Sequence, residues 1–130
     1  MANLGYDWVA QTQLIGTEDG WATLSGTTPT ASGDVDLETD DLVGAMITPE
    51  VDFDSTPTDY VDVKVYYSLD GSNYSDTPDQ ILRIDKATDP NQRAMKIIGV
   101  PHFIVTMAQT GSTDSHNVRC YCQRFEVISA

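Results

Sequence analysis

The chain has 130 residues, a length that suits one domain with its own hydrophobic core and is too short for two domains of ordinary size. Its 20 acidic and 7 basic residues give a formal net charge of −13 at neutral pH. The first basic residue is Lys64, and 13 of the acidic residues precede it. This charge argues against nucleic acid or an anionic membrane as a partner, because both are bound mainly through Lys and Arg.

The sequence carries no signal for membrane insertion or secretion. It has no apolar stretch of about 18 residues, which a membrane-spanning helix requires. The N-terminus lacks the basic and apolar regions of a signal peptide, so we expect a protein that is not secreted by that route and folds in a reducing cytoplasm. Cys120 and Cys122 are one residue apart, too close for a relaxed disulfide, which predicts two free thiols on one face of a strand.

The N-terminal part of the chain predicts short extended segments joined by polar turns. Residues 1–20 are expected to form either an N-terminal arm or an edge strand, and the aromatic residues Tyr6 and Trp8 indicate that this segment packs against another surface. A short strand is predicted at 21–24. The small, polar residues at 25–34 are typical of a linker.

Strand signals become stronger toward the middle of the chain. Apolar and acidic residues alternate at 34–38, and apolar runs at 42–47 and 51–53 predict either two strands or one strand bent at Pro49. The clearest strand is at 60–67, where Val residues alternate with polar and charged residues.

The second half continues the same pattern. The Asp-Gly pair at 70–71 predicts a tight turn in which Gly adopts a positive φ. Short apolar runs at 81–84 and 95–100 predict two more strands. Two longer runs at 102–108 and 117–128, separated by a polar loop, predict a β-hairpin.

Short strands spaced about ten residues apart are typical of antiparallel sandwiches and small barrels. No window of the sequence shows the periodicity of an amphipathic helix. We therefore expect an all-β chain with a single antiparallel β-sandwich over residues 21–130, either a jelly-roll or an immunoglobulin-like fold. Residues 1–20 would be its arm or edge strand.

No motif predicts an enzyme. Nucleophilic hydrolysis needs a nucleophile, a His base and an orienting acid, but the chain has only His102 and His116 and no Gly-x-Ser-x-Gly elbow. A zinc site made from these histidines with Cys120 and Cys122 is disfavoured, because the thiols lack the usual Cys-x-x-Cys spacing. Carboxylate pairs suited to glycoside hydrolysis arise by chance in so acidic a chain. We expect a non-enzymatic protein without a cofactor.

The acidic segment in the first half is the strongest candidate for an ion site. Calcium binds several carboxylate oxygens, although the residue order of an EF-hand is absent here. Alternating acids on a strand also form a solvated face, which is the interpretation that we favour. The alternative calcium ligands are Asp34, Asp36, Glu38, Asp40 and Asp41.

Two aromatic residues are candidates for surface contacts. Alternation places Tyr66 on the face opposite Val65 and Tyr67, and Trp21 lies near a predicted short strand. Exposed rings of this kind stack on sugars or fill contacts between subunits. We favour cross-strand packing or an oligomer contact, with glycan binding as the alternative.

Several segments resemble β-sandwich proteins of tailed-phage virions. Residues 61–78, Val-Asp-Val-Lys-Val-Tyr-Tyr-Ser-Leu-Asp-Gly-Ser-Asn-Tyr-Ser-Asp-Thr-Pro, resemble a strand, a Ser-x-Asp-Gly turn and an Asn-Tyr continuation found in those proteins. Gly-Val-Pro-His-Phe at 99–103, which leads into the last two strands, is similar to their C-terminal part. Asp-Leu-Glu-Thr-Asp-Asp-Leu at 36–42 and Val-Asp-Phe at 51–53 fit the same layout. The resemblance spans about residues 34–128.

This resemblance implies a capsid decoration, or cement, protein. Such a protein is made in the host cytoplasm, binds the major capsid protein on the outside of the head, often as a homotrimer, and stabilises the shell. In this chain we assign capsid binding to Leu4, Tyr6 and Trp8, which would add a strand or an aromatic anchor to the shell. The acidic first half would then need Lys or Arg on the shell, or a bridging ion.

Two alternatives fit the same resemblance. One is a carbohydrate-binding or receptor-binding module of a phage fibre, in which the exposed aromatic rings would contact a glycan. The other is a neck or tail component, which would assemble into rings or stacks instead of decorating a shell.

Overall fold

The computed structural model describes residues 4–54, 56–85 and 93–129, with the backbone alone for 4–6 and 127–129. These residues form β-strands and contain no helix long and apolar enough to cross a membrane. The strands are β1 (Leu4–Trp8), β2 (Thr12–Ile15), β3 (Ala22–Thr23), β4 (Thr30–Ala31), β5 (Val35–Asp36), β6 (Gly44–Asp52), β7 (Val61–Ser68), β8 (Gln80–Ile84), β9 (Met95–Ile98), β10 (His102–Gln109) and β11 (Asn117–Ser129).

The strands form two antiparallel sheets. Sheet A has the order β1-β11-β6-β9, and β2 and β3 pair with β11 beside β1. Sheet B has the order β4-β10-β7-β8, and β5 pairs with β10 beside β4. β6 pairs with one edge of β11, and β7 pairs with one edge of β10. β1 to β3 therefore line the remaining edge of β11, and β4 and β5 line the remaining edge of β10.

The pairing between strands is nested. The group β1 to β3 pairs with β11, β4 and β5 pair with β10, β6 pairs with β9, and β7 pairs with β8. A long antiparallel hairpin that rolls up into two packed sheets has this order, which is the order of a jelly-roll. The predicted all-β sandwich is confirmed, and the strand order identifies it as a jelly-roll instead of an immunoglobulin-like fold.

The core lies between the inner faces of the two sheets. Alternate residues of β7 and β10 point inward from sheet B, and alternate residues of β6 and β11 point inward from sheet A. Most of these side chains are apolar and fully buried, so burial of their surface stabilises the sandwich. They include Ala45, Ile47, Val61, Val63, Val65, Phe103, Val105, Met107, Val118 and Cys120.

β6 is one continuous strand that passes through Pro49. Pro49 pairs with Cys120 of β11, whereas β9 pairs only with 44–47 of β6. The second edge of β6 at Pro49 therefore has no partner strand among the described residues, and a missing N–H is tolerated there. The two apolar runs at 42–47 and 51–53 thus belong mainly to one strand.

The predicted hairpin between the last two strands does not form. Both strands exist, but β10 lies in sheet B and β11 lies in sheet A, so the loop at 110–116 crosses from one sheet to the other. Each strand has an apolar inner face that the other sheet covers, and each already has a long neighbour, β7 for β10 and β6 for β11. If β10 and β11 paired with each other across the polar loop, β7 and β6 would each lose a long neighbour.

Two N-terminal segments belong to the sheets. Within residues 1–20, expected to be an arm or an edge strand, β1 and β2 form edge strands that pair with β11. The linker-like segment 25–34 includes β4, which pairs with Thr106 and Met107. A two-residue strand leaves too short a pattern in the sequence to be recognised.

Gly44 is required by a close approach between strands. A Cβ atom at this position would lie 2.3 Å from the Ile97 carbonyl oxygen and 2.9 Å from Cζ of Phe125. We expect Gly44→Ala to lower the free energy of unfolding by about 2 kcal/mol, the usual cost of overpacking, in a urea titration. The control Gly33→Ala, where a Cβ meets no atom within 4 Å, should change it by less than about 0.5 kcal/mol. Equal effects of both substitutions would contradict the steric argument.

Candidate functional site

The edge strand β1 carries the residues predicted to bind a capsid. Leu4 and Tyr6 lie in β1, but their side chains fall outside the described part of the chain. Trp8 packs against Phe125 of β11, with ring centroids 4.9 Å apart, and 41% of its surface is exposed. β1 is therefore held to the sheet by its backbone ladder and by this ring contact, while part of the Trp8 ring faces solvent.

The other predicted surface tryptophan is covered on one side by a cation. The guanidinium of Arg119 lies 4.1 Å from the centroid of the Trp21 ring and pairs with Glu50 of the neighbouring strand. The Tyr121 hydroxyl donates a hydrogen bond to Asp19, which anchors the loop before Trp21. Trp21 therefore lies over the outer face of sheet A, whereas Tyr66 lies on sheet B. The structure does not bring these two rings together.

The five calcium candidates are divided among protein partners. The Asp36 carboxylate accepts hydrogen bonds from the backbone N–H groups of 38 and 39, which close the turn after β5. Asp40 lies 3.7 Å from the guanidinium of Arg124, and Asp41 occupies the left-handed region with a φ of 53°. These side chains serve the turn and the ion pair, and they do not form one ligand shell.

The remaining acids of this segment surround His102. Nδ1 of His102 lies 2.8 Å from Asp34 and 3.9 Å from Asp36, and Nε2 lies 3.3 Å from Glu38. The Tyr74 hydroxyl donates a hydrogen bond to the second oxygen of Asp34, which extends the cluster to the β7–β8 turn. Both ring nitrogens face carboxylates, so the contacts are satisfied best by the doubly protonated imidazolium. The hydrogen bond to Asp34 raises the pKa of His102, with further contributions from the nearby negative charges, although partial burial opposes the shift.

The second histidine, His116, differs from His102 in its burial and in its hydrogen bonds. His116 is fully buried, and its Nδ1 accepts a hydrogen bond of 3.0 Å from the backbone N–H of Asp54. Its proton is therefore on Nε2, which donates to Asp59 at 2.6 Å. Asp114 accepts hydrogen bonds from both the backbone and the hydroxyl of Thr58. This network ties together two of the connections that cross between the sheets, β6 to β7 and β10 to β11.

Asp59, Asp114 and His116 also offer three ligand atoms within 4.8 Å of one another, and Oδ2 of Asp59 is buried without a hydrogen-bond partner. A metal ion on Nε2 of His116 would require the ring proton on Nδ1, directly opposite the N–H of Asp54. The tautomer that the backbone selects therefore does not fit a metal ligand. We interpret this cluster as a buried structural network.

The cysteines are free, as predicted, and both side chains point into the core from β11. Burial raises the pKa of Cys122 to about 11 and raises that of Cys120 further. Neither thiol is therefore a reactive nucleophile near neutral pH.

One side of the sandwich exposes two strand edges with apolar residues. The Gln80 side chain of β8 donates to the Lys96 carbonyl of β9 at 3.5 Å, so the edges of the two sheets meet there. At this side Ile81, on the outer face of sheet B, is 60% exposed, and Ile98, on the outer face of sheet A, is 49% exposed. Within the described ranges no strand pairs with the outer edge of β8 or β9. We call this surface the β8–β9 side.

The sequence analysis missed the β8–β9 side and the His116 network. The sequence contained a weak signal for the β8–β9 side. Alternation in β8 turns Leu82 toward the core and Ile81 toward solvent, where a polar residue is usual. The His116 network joins residues more than 50 positions apart, and no local pattern predicts it.

Comparison with known proteins yields little. No protein-family model and no curated protein matches the chain. Among solved structures, the Yersinia pseudotuberculosis-derived mitogen (YPM) is similar over 97% of this chain and 86% of that chain, with 9% sequence identity and a TM-score of 0.47. A similarity of this size carries no argument about function, and the fold assignment rests on the strand order itself.

The His102 cluster predicts a pH-dependent stability. Because the pKa of His102 is raised above its ordinary value of 6.5, its contribution is complete below about pH 6.5 and is lost as the pH rises through the folded-state pKa. We expect the wild-type Tm to exceed that of His102→Gln at about pH 6, and this difference to shrink by about pH 9. A difference that is constant or grows with pH, measured by thermal unfolding, would contradict this assignment.

Proposed function

We propose that this protein is a non-enzymatic structural subunit of a phage virion, which binds the outside of the capsid as an oligomer and stabilises it. The resemblance of residues 34–128 to phage sandwich proteins supports the virion assignment. The exposed β8–β9 side is the observation that carries the assembly role. Open strand edges with exposed isoleucines are usually covered, because they otherwise recruit other chains.

The opposite side of the sandwich is less suited to self-association. It is formed by five strands, β1 to β5, which are separated by turns, and three of them are only two residues long. Short and interrupted edges are a common protection against edge-to-edge pairing. Subunits would therefore join through the β8–β9 side, while β1, with the partly exposed Trp8, remains accessible to the shell.

Ion pairs within the fold reduce the negative charge of the first half of the chain. Arg83, Arg119 and Arg124 each pair with an acid from residues 1–63, so that half of the chain is partly neutralised within the fold. These pairs involve three of the 13 acids of that half and leave the net charge of the protein at −13, so docking still calls for Lys or Arg on the shell, or for a bridging ion. Attachment of several subunits through weak individual contacts would give tight binding by multivalency.

Oligomerisation tests the first part of this proposal. We expect light scattering to give the mass of a trimer for the wild type and of a monomer for Ile81→Lys combined with Ile98→Lys, because the added charges must be desolvated in the interface. The control Thr23→Lys combined with Ala31→Lys adds the same charge to exposed positions on the opposite side and should leave the trimer intact. A monomeric wild type, or a trimeric Ile81/Ile98 variant, would contradict the proposed interface.

Capsid binding tests the second part. We expect the protein to co-sediment with phage heads assembled without it and to raise their resistance to heat. Trp8→Ser should weaken this binding by about tenfold or more, as loss of an aromatic anchor does, without changing the oligomeric mass. Trp21→Ser is the matched control, since Trp21 is equally exposed but lies away from β1. Equal loss of binding in both variants would argue against β1 as the capsid contact.

A further inference from the structure

A groove crosses the outer face of sheet B. Its floor is formed by two cross-strand pairs of β7 and β10, Lys64 with Thr106 and Tyr66 with Ile104. Thr27, in the segment before β4, lines one wall, and the β7–β8 turn closes one end. The volume of about 330 Å³ lies at the lower end of the range typical of small-molecule sites, about 300–1,000 Å³. We call this cavity the sheet B groove.

The sheet B groove differs in charge from the other cavities. Its lining contains one basic residue and no carboxylate, in a chain with 20 acidic residues. Two other cavities, of about 510 and 390 Å³, are lined by acids and by no base: Asp70 and Asp79 in the larger, Glu38 and Asp41 in the smaller. An anion would therefore be accepted in the sheet B groove and repelled from the other two.

Lys64 is available to such a ligand. Asp62, the adjacent acid on the outer face of β7, is held by both Nε and a terminal nitrogen of Arg83 at 2.8 and 3.0 Å. The cross-strand neighbours of Lys64 are Ile81 and Thr106, which carry no charge. Within the described part of the chain, the Lys64 ammonium takes part in no ion pair or hydrogen bond. Its positive charge is thus uncompensated at the floor of the groove.

We propose that the sheet B groove binds a carboxylated pyranose, that is, a sugar of the uronic acid or sialic acid class. Lys64 would pair with the carboxylate, the Tyr66 ring would pack against the C–H face of the sugar, and the Thr27 and Thr106 hydroxyls would bond to sugar hydroxyls. A single ammonium matches a monoanion, whereas phosphate sites usually combine several N–H donors. The inference goes beyond the proposed capsid role and does not depend on it.

NMR titration of the labelled full-length protein tests this assignment. The ligands are methyl β-glucuronide and a methyl sialoside, with methyl β-glucoside as the neutral comparison. We expect at least one acidic sugar to shift the amides of 64–66 and 104–106 with a Kd of about 1 mM. The neutral sugar should bind about tenfold more weakly, because it lacks the charge-assisted bond to Lys64.

Variants separate the roles of charge and ring. Lys64→Gln should reduce the affinity for the acidic sugar to that of the neutral one, whereas Lys96→Gln, on sheet A, should leave it unchanged. Tyr66→Ala should abolish detectable binding of all sugars, and Tyr66→Phe should preserve it because the ring remains. The oligomeric mass of each variant is measured in parallel. A change in sugar binding at constant mass concerns the sheet B groove alone and leaves the proposed subunit interface untouched.

Three outcomes would overturn the inference. The first is that no sugar shifts these amides at concentrations up to roughly ten times a millimolar Kd. The second is that neutral and acidic sugars bind equally. The third is that acetate or inorganic phosphate binds as tightly as the acidic sugar, which would make the groove a simple anion site.

Discussion

Nested antiparallel pairing between the two halves of the chain is the constraint on which the rest of the structure depends. Each strand of the first half finds its partner at the mirror position of the second half, from β7 with β8 outward to β1 with β11. Two of the connections that cross between the sheets, β6 to β7 and β10 to β11, lie side by side. The buried His116 network fastens them there, so its polar groups are partnered in the place where two crossing loops would otherwise leave backbone groups unsatisfied.

The same nesting explains how the fold accommodates a chain whose charges are segregated along the sequence. All the basic residues follow position 63, yet the sheets bring Arg83, Arg119 and Arg124 against acids that precede it. Arg83 faces Asp62 across a β7–β8 pair, and Arg119 faces Glu50 across a β6–β11 pair, which is the geometry in which opposite charges stabilise a sheet. The separation in sequence therefore becomes pairing in space.

Local periodicity predicted most of the strands and the fold class, because period-two alternation is a property of the few residues that form a strand. The strand at 60–67 and the Asp-Gly turn after it, where Gly71 has a φ of 80°, are confirmed. What alternation cannot specify is the sheet to which a strand belongs. The polar loop at 110–116 looks the same in sequence whether it turns within one sheet or crosses to the other, and the crossing depends on the distant partners β7 and β6.

The candidate sites show the same limit, because the sequence reveals residue types but not the contacts between distant strands. The acids at 34–38 were evident from composition, but their partner His102 lies more than 60 residues away, so the sequence favoured a solvated face over an ion site and did not reveal the contact with His102. The sheet B groove depends on which outward residues of β7 and β10 stand opposite each other. Tyr66 was recognised from alternation alone, whereas the role of Lys64 required the register of the sheet.

The central position of β11 has a consequence for how this chain folds during synthesis. β11 is the last strand in the sequence, yet it separates β6 from the whole group β1 to β3 and touches both. Until it leaves the ribosome, the first strands of sheet A have no partner, and the apolar inner face of β6 has no complete sheet around it. High contact order of this kind slows folding and keeps strand edges exposed in the nascent chain. Chaperone demand should therefore fall only after β11 has left the ribosome.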